Sequence, residues 1–272
     1  EESFNVDAFN ERGGTGILGR MADVLGNSMA TAQIAIDKVL SNLVGDPTLG
    51  RKIDVIPKYG PSTFYTLNRL SGPVESKREY LISKMEELNK RSNAGSGIHA
   101  ELWSQSFKDA RYEAEDYKAK IDAETSSTDI PNTGVGPQLN MILRLMKARD
   151  SRSVNRDVFS FEVNGFDQHF SLKEGLPYLL NNLNEELAGF RTAAIAEGLW
   201  DSVVIVMSSE FGRTITPNAS GGTDHGWGGN YFMAGGEVKG GRILGKHPDN
   251  YDLGDNFVAG RGAWIPTTSN EA

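Results

Sequence analysis

The chain has 272 residues, of which 38% are hydrophobic and 24% charged, a composition typical of a globular protein. Its formal net charge of −8 and isoelectric point of about 5.1 argue against a nucleic-acid partner, because phosphate backbones are bound by basic surfaces. No apolar stretch is long enough to cross a bilayer, and the absence of cysteine excludes disulfides, thiolate metal ligands and cysteine nucleophiles.

The beginning of the chain is predicted to be helical. A glycine-rich stretch at residues 12–20 predicts a turn that leads into a helix starting near Arg20. The alternative, a backbone loop that binds an anion, lacks the Lys-Ser/Thr ending of a phosphate-binding loop. Apolar residues at roughly helical spacing then predict a helix over residues 28–44, which Gly45-Asp46-Pro47 ends.

Longer helices are predicted in the middle of the chain. Two amphipathic helices rich in Glu, Lys, Arg and Ala are expected at residues 74–92 and 98–123, with Gly95-Ser96-Gly97 between them. Their charges read as solvated faces and not as binding patches. A further helix is expected at about residues 136–148.

From residue 156 the pattern changes to alternating strands and helices. Residues 158–163 alternate in hydropathy and predict a strand, and residues 172–198 predict a long helix. The continuous apolar run at 203–207 predicts a strand covered on both faces of a parallel sheet, so that strand, helix and strand form a right-handed crossover unit. Residues 231–234 predict a third strand.

These elements predict an α/β fold. Residues 156–272 are expected to form its core, and residues 1–155 a mainly helical region that packs on that core or forms a cap, within one continuous domain.

Three loops near the predicted strands carry residue types that bind metals. Residues 165–169 (GFDQH) and 208–214 (SSEFGRT) follow strands, and residues 222–228 (GTDHGWG) precede one. Ligands of parallel α/β sheets bind where loops leave the carboxyl ends of strands. The predicted metal ligands are Asp167, His169, Glu210, Asp224 and His225.

The identity of the cation stays open at this point, because carboxylates together with imidazoles suit Zn²⁺, Mn²⁺, Fe or Ca²⁺. An Asp-His pair on its own is often only a loop hydrogen bond, and the shared position of these loops is what favours a metal site. Arg213 either grips a phosphate or sulfate bidentately or forms a salt bridge with a nearby carboxylate. His99 and His247 are predicted to be surface residues.

A tripeptide beside these loops admits two interpretations. Asn218-Ala219-Ser220 is a glycosylation acceptor pattern, usable only in a eukaryotic secretory route, or it is a chance tripeptide.

Residues 165–245 resemble an uncharacterised, sulfatase-like family known as domain of unknown function 1501. The family typically reads Gly-Phe/Trp-Asp-Thr-His where this chain has GFDQH, and Ser-Asp/Glu-Phe-Gly-Arg-Thr where it has SEFGRT. The resemblance continues through 222–230 (GTDHGWGGN) and 235–241 (GGEVKGG). Looser agreement extends to residues 16–23 and 265–269.

The resemblance implies a distant branch of the alkaline phosphatase superfamily, whose members hydrolyse phosphate and sulfate esters at one or two bound metals. It implies a mostly parallel sheet with flanking helices, here with an extra helical region in the N-terminal half. Asp167 and His169 correspond to one ligand pair, and Asp224 and His225 to the late ligands. Glu210 stands where the superfamily often has the Asp of an Asp-His pair. Phe211 replaces the expected His, and Gln168 the family's Thr.

The resemblance also leaves a gap at the nucleophile. The early strand that would deliver a metal ligand and a Ser or Thr nucleophile has no counterpart before residue 20, so we expect the chain to be a fragment of a longer protein. Bacterial family members commonly carry twin-arginine export signals, which implies a periplasmic, extracellular or cell-surface location.

Two functional hypotheses follow. One is an exported metal-dependent hydrolase of small phosphoric or sulfuric esters. The other is a catalytically inactive relative that self-associates as a structural or surface-interaction protein.

Overall fold

The computed structural model describes residues 15–61, 74–90, 97–251 and 258–265. These residues belong to two compact units: one runs to Lys58 and resumes at Ser126, and the other lies within Tyr59–Thr125. The first residues of the predicted glycine-rich stretch and the family-like segment at 266–269 lie outside the described residues. Among the described residues, no helix combines the length and the hydropathy that crossing a bilayer requires.

A small parallel sheet forms the core of the larger unit. Its strands are β1 (Thr31–Ile36), β2 (Ile53–Ile56) and β3 (Arg156–Ser160), in the order β2-β1-β3. Ile34 of the central strand pairs with Asp54 on one side and Phe159 on the other. Helix α1 (Ile17–Leu25) covers this sheet, and its Ala22 is fully buried in a cluster with Ala35, Leu43 and Val158.

The helix predicted over residues 28–44 is wrong, because residues 31–36 form the central strand β1. β-branched side chains are stiff and pack well on a pleated sheet, and β1 carries three of them at Thr31, Ile34 and Ile36. A central strand is covered on both faces, so its apolar residues do not alternate with polar ones. Without the strands that pair with it, the apolar pattern of β1 is therefore compatible with helical spacing.

The four longer helices are confirmed. They are α2 (Val74–Lys90), α3 (Ile98–Asp122), α4 (Gly136–Lys147) and α5 (Leu172–Ala196). In the smaller unit, Arg111 of α3 pairs with Glu115 on its own helix and with Glu86 on α2. In the larger unit, α4 packs against α5, and Leu145 of α4 and Phe190 of α5 are buried.

The last part of the chain forms three short antiparallel pairs. β4 (Val204–Val206) pairs with β7 (Met233–Gly235), β5 (Gly212–Arg213) with β6 (His225–Gly226), and β8 (Val258–Ala259) with β9 (Ala263–Trp264). β7 confirms the strand predicted at residues 231–234, with bounds that differ by at most two residues. The fold is therefore mixed α/β with a three-stranded parallel sheet, and the alkaline-phosphatase-like arrangement stays a prediction.

The environment predicted for residues 203–207 is wrong. β4 is antiparallel to its partner, and Val204 and Val206 are 59% and 51% exposed. β3 and β4 lie in different sheets, so the predicted crossover unit is wrong as well. A short apolar run reads the same for a buried parallel strand and for an exposed antiparallel one, so periodicity alone could not separate the two.

Candidate metal centre

Backbone hydrogen bonds bring the loop at 165–169 against the loop that precedes β6. Phe170 and Gly221 form an antiparallel bridge, and the backbone N–H of Leu172 donates to the Gly221 carbonyl at 3.1 Å. The N–H of Thr223 donates to the Gln168 carbonyl at 3.2 Å. A Cβ atom on Gly222 would lie only 2.1 Å from the carbonyl carbon of His169, so glycine is required for this approach.

The β5–β6 hairpin brings a second pair of segments together, because it places Arg213 directly opposite His225. The two loops and the hairpin thus hold candidate ligands from two segments that are distant in sequence. Asp167 and His169 come from the first loop, and His225 comes from β6.

The side chains of Asp167, His169 and His225 meet in a compact triangle, which we call the ligand triangle. Nε2 of His169 lies 3.1 Å from Nε2 of His225, and each of these nitrogens lies 3.0 Å from Oδ1 of Asp167. All three side chains are accessible to solvent. Among the described residues, these three side chains form the group of His, Asp and Glu residues whose ligand atoms lie close enough together to hold one ion.

Hydrogen bonds alone do not account for all the short contacts in the ligand triangle, because the two imidazoles carry too few protons. A neutral imidazole carries a proton on only one nitrogen. Nδ1 of His169 faces a carboxylate oxygen of Asp224 at 3.4 Å and Nε2 faces Oδ1 of Asp167 at 3.0 Å, and both carboxylates can only accept, so a neutral ring has one proton for two such contacts. The two neutral imidazoles together supply at most two protons for four short contacts. The triangle is rich in lone pairs, as a cation site requires.

The spacing of the triangle fits a metal ion. Zn²⁺ and similar ions bind imidazole nitrogen and carboxylate oxygen at about 2.0–2.2 Å, so neighbouring ligands lie roughly 3.0 Å apart around an octahedral ion and roughly 3.4 Å apart around a tetrahedral one. The observed separations of 3.0 and 3.1 Å are closer to the octahedral spacing. Two imidazoles and one carboxylate favour Zn²⁺ or Mn²⁺ over Ca²⁺, which prefers oxygen ligands.

The other two predicted ligands lie outside the triangle. Asp224 contacts the far nitrogen of His169, the position of a carboxylate that orients a metal-binding imidazole. Glu210 is exposed in the loop after β4 and does not join the group. Burial, and secondarily the negative charge of Glu210, raise the pKa of Tyr231.

Arg213 forms the salt bridge that the sequence left as one of two alternatives. Its Nη1 donates to Oδ1 of Asp167. Its Nε donates to Oγ1 of Thr223 at 3.0 Å, and its Nη2 donates to the Thr223 carbonyl. These bonds fix the guanidinium beside the carboxylate that belongs to the triangle.

The electrostatics of the triangle keep Asp167 ionised. Desolvation is the largest single effect and raises the pKa of Asp167, but the hydrogen bonds from Arg213 and His225, together with the charges that both histidines carry when they are protonated, lower it below its ordinary value. The carboxylate is thus in the form that binds a cation.

Phe211 and Asn218 are residues that sequence reasoning did not assign to the site. The ring of Phe211 stacks on the ring of His225, with centroids 3.9 Å apart and planes 14° from parallel. Asn218 bonds to both His169 and Asp224. The polar spacing from Asn218 to Asp224 could have indicated a loop closed by a side chain, whereas nothing in the sequence predicts the ring stacking.

An open groove runs from the triangle along the first turns of α5. It is lined by Asp167, Phe170, Ser171, Glu174 and Tyr178, among others. Phe170 and Tyr178 are 72% and 66% exposed, so both rings are available to a molecule in the groove.

Comparisons with known proteins place the chain in a family. No curated protein matches it, and no solved structure matches it. The family described as "Protein of unknown function (DUF1501)" matches residues 103–260, which is more than half of the chain. The chain belongs to the DUF1501 family.

Proposed function

We propose that this chain forms the metal-binding part of a hydrolase that cleaves small phosphate or sulfate esters outside the cytoplasm. The observation that carries the proposal is the ligand triangle, in which Asp167, His169 and His225 bring two nitrogens and one oxygen within 3.1 Å of one another. The ester class and the export are proposed from the sequence resemblance alone.

Three protein ligands are typical of catalytic metal sites, because they leave coordination positions open to solvent and substrate. A divalent ion bound here would polarise the ester and lower the pKa of water. The chain itself would hold the ion through the triangle, orient His169 through Asp224 and fix the ring of His225 through Phe211. The groove beside Asp167 offers space for the alcohol portion of the ester.

Arg213 would act mainly by positioning Asp167. A guanidinium has five N–H groups, and the bonds to Asp167 and Thr223 use three of them. The remaining two allow Arg213 to meet an anionic oxygen without leaving Asp167, which joins the two roles considered from the sequence.

Metal content and ester hydrolysis measured on the same preparations test the proposal. We expect the chain to bind Zn²⁺ or Mn²⁺, and we expect the hydrolase that contains it to cleave 4-nitrophenyl phosphate or 4-nitrophenyl sulfate. Asp167→Asn and His225→Gln should abolish both properties. Matched controls are Asp150→Asn, at a side chain 94% exposed, and His99→Gln, on the exposed surface of α3. Unchanged metal content in both site variants would rule out the assignment.

The alternative is a catalytically inactive relative that serves in self-association. Two observations favour it: Phe211 stands where a histidine ligand is expected, and the charge of Arg213 is paired with Asp167. Light scattering that shows ordered polymers, together with no turnover of either ester, would decide for this alternative.

A further inference from the structure

The side-chain amide of Asn218 makes four hydrogen bonds at the edge of the ligand triangle. Its Nδ2 donates to the His169 carbonyl at 2.9 Å and to Oδ1 of Asp224 at 3.2 Å. Its Oδ1 accepts from the backbone N–H groups of Ser220 at 2.9 Å and Gly222 at 3.1 Å. Two donors and two acceptors are the full capacity of an amide.

These partners allow only one orientation of the amide. The two partners of Oδ1 are N–H groups, and the two partners of Nδ2 are a carbonyl and a carboxylate oxygen. Turning the amide over would oppose donors to donors and acceptors to acceptors. The orientation of Asn218 is therefore fixed by chemistry, and its N–H groups must face His169 and Asp224.

Asn218 consequently fixes two parts of the centre relative to each other, the backbone of His169 and the carboxylate of Asp224. One N–H fixes the backbone of His169, which provides a triangle nitrogen. The other N–H fixes Oδ1 of Asp224, the same oxygen that faces Nδ1 of His169. Partners that orient metal-bound imidazoles typically change metal affinity 10–100-fold when they are mutated.

We propose that Asn218 is a positioning residue of the metal centre: through Asp224 it fixes the ring orientation and the Nδ1–H tautomer of His169, which turns Nε2 toward the cation. This inference rests on the proposed function, because it concerns the same centre. It also decides between the two interpretations of Asn218-Ala219-Ser220. A glycan on Nδ2 would replace a proton that donates to His169 or Asp224, so this asparagine is committed to the site and is not a glycan acceptor.

The test compares two Asn→Asp substitutions of matched chemistry. Asn218→Asp keeps an oxygen for Ser220 and Gly222 but removes both donated bonds and places a second carboxylate beside Asp224. Asn140→Asp is the control: Asn140 accepts from the Ser127 N–H at 2.8 Å and donates to the Ser127 carbonyl at 3.2 Å, and no hydrogen bond links its side chain to the triangle residues. Mn²⁺ affinity is measured calorimetrically, and metal-free Tm values show that each variant folds.

We expect Asn218→Asp to weaken Mn²⁺ binding about 10–100-fold and Asn140→Asp to leave it unchanged. In an Asp224→Asn background, Asn218→Asp should add less than in the wild type, because both changes act on one bond to His169. Folded Asn218→Asp protein with wild-type Mn²⁺ affinity would overturn the inference. A wild-type chain that binds no Mn²⁺ or Zn²⁺ would instead overturn the proposed function, and the inference with it.

A measurement on the wild type covers the case in which Asn218→Asp does not fold. The ¹⁵N chemical shifts of the His169 ring in metal-free protein report which nitrogen carries the proton. We expect Nδ1–H. A ring protonated on Nε2 alone would overturn the inference without any variant, since Asp224 would then receive no proton from His169.

Discussion

The parallel sheet and the C-terminal hairpins, which belong to one compact unit, are held together in different ways. In the central strand β1, Ile34 and Ile36 are at most 1% exposed, and the sheet is stabilised by buried apolar surface. In β4, by contrast, Val204 and Val206 are more than half exposed. The hairpin that carries Arg213 and His225 has two residues in each strand, and polar side chains and loop bridges fix it.

The difference separates stability from metal binding. The sheet forms without any of the candidate ligands, whereas the ligand triangle depends on directional bonds such as those of Asn218 and Arg213. Substitutions in the sheet should therefore change the free energy of unfolding, and substitutions around the hairpin should change the affinity for the ion.

The largest stability effect is expected at the centre of the sheet. Ile34→Ala removes a fully buried side chain and should lower the free energy of unfolding by about 2–5 kcal/mol. Val206→Ala, on the exposed strand β4, should change it by no more than about 1 kcal/mol. Denaturant titration measures both. Equal losses in the two variants would contradict the distinction between the regions.

The next effect is expected where the loops approach each other. In Gly222→Ala the new methyl group would lie 2.1 Å from the carbonyl carbon of His169, so the backbone must shift, at a cost of about 1–3 kcal/mol. The shift should also displace His169 and weaken Zn²⁺ binding. Gly240→Ala is the control, because its nearest neighbouring atom would be 3.9 Å away. Calorimetric titration of both variants that gave the same Zn²⁺ affinity would argue against loop closure as the source of the site.

A smaller effect is expected at Phe211. Phe211→Leu keeps an apolar side chain but removes the stacked ring, so His225 gains rotational freedom. Aromatic pairs contribute about 0.5–1.5 kcal/mol beyond buried area, which corresponds to a loss of metal affinity of roughly 2–10-fold. Isothermal titration with Zn²⁺ measures the change. An unaltered affinity would show that the ring does not restrain His225.

The smallest effect is expected in acid. The pKa of Asp167 is lowered in the folded state, so its carboxylate stabilises the fold above the unfolded value, near 3.8, and this contribution disappears as the pH falls through the folded pKa. The difference in unfolding free energy between wild type and Asp167→Asn should therefore shrink as the pH falls below 3.8. A difference that grew on acidification would mean that folding raises the pKa of Asp167, which would contradict the account.

Much of the helical structure could be predicted from the sequence, because α3 and α5 are long and periodic enough for local spacing to define them. The strand β1 could not, since its identity depends on pairing with residues 53–56 and 156–160. The apolar run of β4 was recognised as a strand, but its partner and its exposure depend on β7, which lies outside any local window.

The candidate site divides in the same way. Asp167, His169 and His225 could be named because carboxylate and imidazole are recognisable ligand types in loops beside strands. The separation of Glu210 from them, and the outer position of Asp224, depend on how the hairpin and loops turn in space. Asn218 and Phe211 act through bonds and stacking to other residues, so their residue types alone gave no indication of a role.

A crystal structure of the chain grown with Mn²⁺ tests the central claim most directly. An anomalous difference map is predicted to show one ion about 2.0–2.2 Å from Oδ1 of Asp167, Nε2 of His169 and Nε2 of His225. A map with no peak between these atoms at saturating Mn²⁺, or with the ion bound elsewhere and the triangle unchanged, would contradict the account.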